Sequence, residues 1–497
     1  MNIKPNSVIK REIPWRRKIQ KPFTLFSSQR NFYLSSLLVF IVYLRPIFSQ
    51  WVYSDEYHLF AKDSQPGEHM RKDGALFGQV IYNSVSRNLV SNPSDLWRLR
   101  ILSFICFLMV LSAVSKKIYE KNPNPTLHFL IPISLLLPAP MTFISWSLMW
   151  QASFGILLSF FASHFWTYNS SNLKLISIPL LSLSFLISPN SAFSYFGFFI
   201  AIMILSKTET AIVLKKFLNV IKLFIISGLL ASISVYINVY FYGLELNQRA
   251  SLVQKTELLD KLIWLVSRPL AVSSRFFDIS SPGRLNAIFV MVLVVIVITA
   301  GLISQSKSSK KDGTLRVIIF FACSILTVTP IAITSSNQIE FRYILGISWC
   351  FFMVFSFFIV ENLKGHGGIS KSVVAILLFT GATTVSLNFE RQFLGPYNSK
   401  VRYLTSQIQK CEKSSERLTG IAIIPPRAPF PVRQNLGMFS QVTDLASPWV
   451  PVPSVQAILA VLVHREVEVI LKDKRDSSLD NICVIDLEEY RRQLIFQ

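Results

Sequence analysis

Residues 32–49 read FYLSSLLVFIVYLRPIFS, and residues 50–58 continue QWVYSDEYH. The first stretch is 18 residues long with one charge, Arg45, close to the roughly 20 apolar residues a helix needs to cross a bilayer core about 30 Å thick. Ahead of it stand Lys4, Lys10, Arg11, Arg16, Arg17, Lys18, Lys21 and Arg30 against only Glu12. Lys and Arg are retained on the cytoplasmic side of short flanking segments, so this end is expected inside, and the apolar run serves as a signal anchor without a cleaved leader. Arg45, near the outer end, can snorkel to the headgroups.

The same ruler cuts ten further spans, at residues 99–115, 127–149, 152–168, 173–188, 192–206, 219–243, 285–304, 315–334, 343–360 and 373–389. The cuts near residues 150–151 and 188–191 set the parity of everything downstream. Alternate loops carry the cations: Lys116, Lys117 and Lys121; Lys174; Lys207, Lys215 and Lys216; Lys307, Lys310 and Lys311; Lys364 and Lys371. This alternation agrees with eleven spans and predicts a C-terminus outside the cytoplasm. The whole chain of 497 residues is 51% hydrophobic and 16% charged, with mean hydropathy +0.44, a balance foreign to an ordinary soluble enzyme. Its net charge of +22 is scattered between apolar runs rather than gathered on a soluble face, which argues for membrane orientation and against nucleic acid as a partner.

The fold class read from this pattern is an all-α polytopic membrane protein with a small extracytoplasmic α/β domain. Residues 1–31 form a basic cytoplasmic segment and residues 32–390 the transmembrane domain. Two long outer loops cover residues 50–98 and 244–284. In the second, LLDKLIWLV at 258–266 has the mixed pattern of an interfacial helix. Residues 391–497 change in composition, with charges of both signs, the prolines of IPPRAPFPVR and short apolar runs at 420–424 and 467–471. That is the expected outer domain, near the small end of the usual domain range of roughly 50–250 residues.

Cys106, Cys323 and Cys350 fall inside spans and read as packing groups. Cys411 and Cys483 both fall in the outer tail, where disulfides persist, so a bridge between them competes with two buried thiols. No Cys or His spacing suits zinc. The patterns GxxxxGK[ST], GxSxG and HExxH are missing from the sequence, which disfavours an ATP-driven pump and a zinc protease.

The residues that stand out follow the first span: Asp55 and Glu56 lie within a few positions of the membrane surface. A carboxylate there can act as general base on an acceptor hydroxyl, or it can merely solvate a helix end. Arg71 and Asp73 lie further along the loop, and Arg98 and Arg100 open the second span. Such cations suit a phosphate or pyrophosphate head group, and snorkelling anchors look the same.

In their order, these features resemble the GT-C class of integral-membrane glycosyltransferases, in particular bacterial O-antigen-modifying glucosyltransferase-like proteins. Asp55-Glu56 occupies the place of the family's acidic motif, and Asp73-Gly74-Ala75-Leu76 is similar to its Asp-Gly-Arg-Pro-Leu, with Ala75 where Arg is usual. Further similar pieces are Leu137-Pro138 with Ser145-Trp146, Arg249 with Asp260-Lys261 and Trp264, and Phe341-Arg342-Tyr343. Ser188-Pro189-Asn190-Ser191 departs from the Tyr-Gln-Pro found in such proteins. The resemblance implies a multi-pass protein of the bacterial inner membrane that transfers a sugar with inversion. The donor would be a polyprenyl-phosphate sugar and the acceptor an outer glycan or lipid. Asp55 or Glu56 would be the base, and Arg71, Asp73, Arg98, Arg249, Lys261, Arg342 and Tyr343 would bind substrate. A divalent ion, Mg2+ or Mn2+, is compatible with the paired acids without being demanded. From other classes, a transporter or flippase of lipid-linked glycans, or a non-catalytic envelope assembly protein, would share the membrane architecture.

Overall fold

The computed structural model describes residues 14–52, 56–60, 65–168, 171–246, 252–277, 284–305, 310–335, 340–363, 367–414, 420–424, 451–462, 468–471 and 482–495. Within lipid every backbone polar group must be satisfied locally, so the apolar runs become helices. Among the described residues, six are long and apolar enough to cross a membrane: Arg30–Phe48, Pro93–Tyr119, Ser147–Thr167, Thr210–Tyr242, Leu345–Asn362 and Gly368–Lys413. A seventh crossing results if Pro125–Leu136 and Pro138–Ser145, bent by 59°, count as one span. Leu173–Ile187, Pro189–Leu205 and Ile288–Ser304 are apolar but shorter. The expected span at 315–334 is divided between Lys310–Thr327, which opens with charges, and Thr329–Ile333. Pro189 at the first helical position and the Ser188 hydroxyl accepting from Ser191 N–H at 3.4 Å start a new helix there, so two helices rather than one kinked segment occupy residues 171–205.

Proline chemistry also explains the bend in the third apolar stretch. Pro138 and Pro140 have no N–H, so the carbonyls of Ser134 and Leu136 lose their α-helical donors. Leu137 N–H reaches Ser134 O instead, at 3.4 Å, and the Tyr43 hydroxyl from the first helix donates to Leu135 O at 2.6 Å. The second half ends at Trp146, whose backbone is extended. Elsewhere the helices close tightly through small residues. A Cβ on Gly197 would lie 2.1 Å from Gly346 O, so Tyr195–Leu205 and Leu345–Asn362 pack backbone to backbone.

In the tail, β1 (Gly420–Ile424) lies centrally between β2 (Glu468–Leu471) and β3 (Ile482–Asp486), both parallel to it. A parallel sheet needs crossovers, and Pro451–Leu462 lies between β1 and β2 in the chain. The sheet and its helices share an apolar core that includes Leu404, Ile408, Ile421, Ile423, Val455, Leu459 and Ile485. Cys411, on the helix Gly395–Ser414, and Cys483, on β3, form a disulfide with Cα atoms 5.5 Å apart across 72 residues of sequence. We expect a gel-mobility shift on reduction, lost in Cys411→Ser, and the variant tail to be destabilised by about 2–5 kcal/mol. Free alkylation of both thiols in the unreduced, denatured protein would contradict the bridge.

Candidate functional site

Glu56 and Arg100 are both fully buried, with Oε2 3.4 Å from Nη2. Arg100 donates from Nη1 to Ser49 O at 2.9 Å and from Nη2 to Trp51 O at 2.7 Å, and its guanidinium lies 4.4 Å from the Trp51 ring centroid. The other Glu56 oxygen accepts the Ser147 backbone N–H at 2.6 Å. Arg100 is therefore no snorkelled anchor. One cation satisfies carbonyls that the end of the first helix leaves open, and a carboxylate joins it to the end of the bent helix pair.

The neighbour of Ser147 does the complementary job. Arg342, in the turn Phe341–Tyr343, lies 5.0 Å from the Trp146 ring centroid and 4.8 Å from that of Tyr343, and donates to the Tyr343 hydroxyl at 2.8 Å. It also pairs with Glu340, and its side chain remains 19% exposed. Adjacent residues at the end of the bent pair thus hold the acid of the loop after the first helix and the cation of the 341–343 turn.

The other expected residues are placed differently. Asp73 and Gly74 end the helix Gln65–Lys72: Gly74 has φ +81°, its N–H donates to Arg71 O at 2.9 Å, and Ala75 N–H donates to Met70 O at 2.8 Å. This is a Schellman stop, so the glycine has a structural reason independent of substrate. Arg71 is half-buried and its Nε has no hydrogen-bond partner. Arg98 pairs with Asp95 at 3.1 Å and donates to Leu89 O at 2.9 Å, fixing the turn before its own helix. Lys261 is buried over the Trp264 ring at 4.2 Å, and burial lowers its pKa while Glu257 opposes the shift. The helix carrying it, Leu258–Leu265, exposes Leu258, Leu259, Leu262 and Ile263, as an interfacial helix does. Asp55 and Arg249 lie outside the described residues.

Sequence reading missed Lys400. This lysine of the tail's first helix is buried, with Nζ 4.5 Å from the centroid of the Tyr57 ring, next to Glu56. Burial, reinforced by Tyr397, holds the Tyr57 phenol well above the ordinary tyrosine range, so it stays protonated. Tyr57–Phe60 packs on Pro451–Leu462, which seats the tail domain on the loop after the first helix. The only sequence signal for Lys400 is its place in an amphipathic pattern, which predicts burial of that face and nothing about its partner.

Among the described residues, no three His, Cys, Asp or Glu side chains converge as metal ligands. Comparison with protein families, curated proteins and solved structures finds no match to this chain.

Proposed function

We propose that this chain is an inverting glycosyltransferase of a bacterial inner membrane, with eleven spans, the N-terminus inside and the C-terminus outside. It would move a sugar from a polyprenyl-phosphate donor to an extracytoplasmic glycan or lipid. The observation that carries this reading is the Trp146–Ser147 joint, whose backbone holds Glu56 and whose indole lies against Arg342. It brings the acidic loop and a half-buried cation, far apart in sequence, to one end of the bundle. In this arrangement Glu56 is a positioning residue and Asp55 is left as the general base. Arg342, exchanging Glu340 for the leaving phosphate, stabilises the charge that develops on it.

The test is transfer by the purified chain in liposomes supplied with a radiolabelled polyprenyl-phosphate sugar and an envelope glycan acceptor. We expect label in the acceptor and free polyprenyl phosphate, with Arg342→Ala lowering turnover about 10²-fold. Donor that crosses the bilayer with its sugar bond intact would overturn this reading in favour of a flippase, a class that also uses broken helices.

A further inference from the structure

The helix Gly395–Ser414 buries a stripe of side chains, Leu404, Ile408 and Cys411, in the tail core. One turn earlier the same face presents Lys400, 1% exposed. A helix packed for stability alone would continue such a stripe with Leu or Met, because an ammonium is far costlier to take out of water than an apolar group. Lys400 therefore answers to something besides the tail core. Its Nζ lies 4.5 Å from the centroid of the Tyr57 ring, which is itself buried and meets Phe60 edge-on with centroids 6.2 Å apart. The neighbouring Glu56 is held by Arg100 and the Ser147 N–H, both of the membrane domain. Two consecutive residues are thus gripped by two bodies, Glu56 by the bundle and Tyr57 by the tail.

The helix bearing Lys400 is also tied back to the first helix. It continues the last membrane helix through the π-helical turn Phe389–Leu394. Phe389 and Phe393 of that turn lie 5.7 and 5.1 Å, centroid to centroid, from Trp51, the ring over which the Arg100 guanidinium lies. Lys400 is about two turns beyond Phe393, so its approach to Tyr57 is set from the membrane domain and from the tail core together. We propose that Lys400 is a positioning residue for transfer: by holding the Tyr57 ring it seats the tail on this segment and fixes the backbone next to the proposed base. The effect on transfer rests on the function proposed above; the seating of Tyr57 by Lys400 does not.

Two measurements on the full chain test this role. The first is hydrogen exchange, read by mass spectrometry on the peptide covering residues 56–60, in Lys400→Met and Tyr57→Leu. Each variant removes one half of the contact and leaves an apolar side chain. A desolvated contact between a cation and a ring is enough for about a tenfold change in an opening equilibrium, so exchange should rise about tenfold in either variant. It should rise no further in the double variant. Lys400→Arg keeps a cation over the ring and should restore protection, while Arg402→Gln, exposed on the same helix, should change nothing. Because Lys400→Met removes a buried charge, accumulation and the Cys411–Cys483 bridge should be retained, which separates lost seating from failed folding. The second measurement is sugar transfer in the liposome assay. In Lys400→Met, kcat should fall about tenfold with the donor KM unchanged, and it should recover in Lys400→Arg. Wild-type exchange at residues 56–60 in both single variants, an additive rise in the double variant, or wild-type kcat in Lys400→Met would each overturn the proposal. A wild type that transfers no sugar would overturn the transferase reading and the positioning role with it, while the exchange measurement alone still decides whether Lys400 seats Tyr57.

Discussion

Arg100→Ala is expected to remove most of the protein from the membrane fraction, well before any question of activity arises. The substitution leaves the Glu56 carboxylate buried without its cation, and leaves Ser49 O and Trp51 O without their donors. Removing one partner of a buried ion pair costs about 3–5 kcal/mol, a large share of the roughly 5–15 kcal/mol that holds a domain together. The check is accumulation and detergent-resistant folding, by fluorescence-detected size exclusion, of Arg100→Ala beside Arg98→Ala. The exposed Arg98 makes one ion pair, with Asp95, and one carbonyl contact, with Leu89, and surface pairs are worth about 0–1 kcal/mol. Arg98→Ala should therefore accumulate normally. Adding Glu56→Gln to Arg100→Ala should recover part of the loss by removing the stranded charge, while the two open carbonyls keep the rescue incomplete. Equal accumulation of both single variants would show that the pair does not hold these segments together.

Asp55→Asn has the opposite signature. It retains the shape and polarity of the side chain, so accumulation should be unchanged while sugar transfer falls by about 10²–10⁴, the usual loss when a general base is removed. Glu56→Gln should instead lower accumulation, because the amide weakens the contact to Arg100 and faces a guanidinium with no countercharge. The two neighbouring variants thus separate chemistry from architecture. If Asp55→Asn transfers sugar at the wild-type rate in the liposome assay, the base lies elsewhere.

The helical membrane class was legible because apolar runs of membrane-spanning length are encoded locally. The number of crossings was not. The runs at 173–188 and 192–206 are themselves short of a full crossing, and the one at 315–334 divides into Lys310–Thr327 and Thr329–Ile333. In the tail, β1 stood out as a compact apolar run, whereas β3 hides in the charged surroundings of Ile482–Asp486. Asp55-Glu56 stood out by position, yet the fate of Glu56 depends on Arg100 and Ser147, 44 and 91 residues away. No periodicity within one chain reports such pairings. Arg100 was misleading for the same reason, since a cation at the start of a span looks alike whether it reaches lipid headgroups or turns inward. Lys400 belongs with it: pattern shows which face is buried, but not that it meets Tyr57 across the junction between two domains.

The direction of the Arg100 contacts has a consequence for how the chain is made. Among the described residues, the hydrogen-bond partners of its guanidinium, at Pro46, Ser49, Trp51 and Glu56, all precede it in the chain. When the helix bearing Arg100 leaves the ribosome, the groups that neutralise it have already been synthesised. The first helical hairpin can therefore partition into lipid as one electrically closed unit, with the Ser147 N–H added later as the third apolar stretch arrives. Reversing that order would deliver a naked guanidinium to the insertion machinery ahead of its countercharge. The arrangement thus fits synthesis from the N-terminus, and a circularly permuted chain beginning at residue 97 would face the insertion barrier that the natural order avoids.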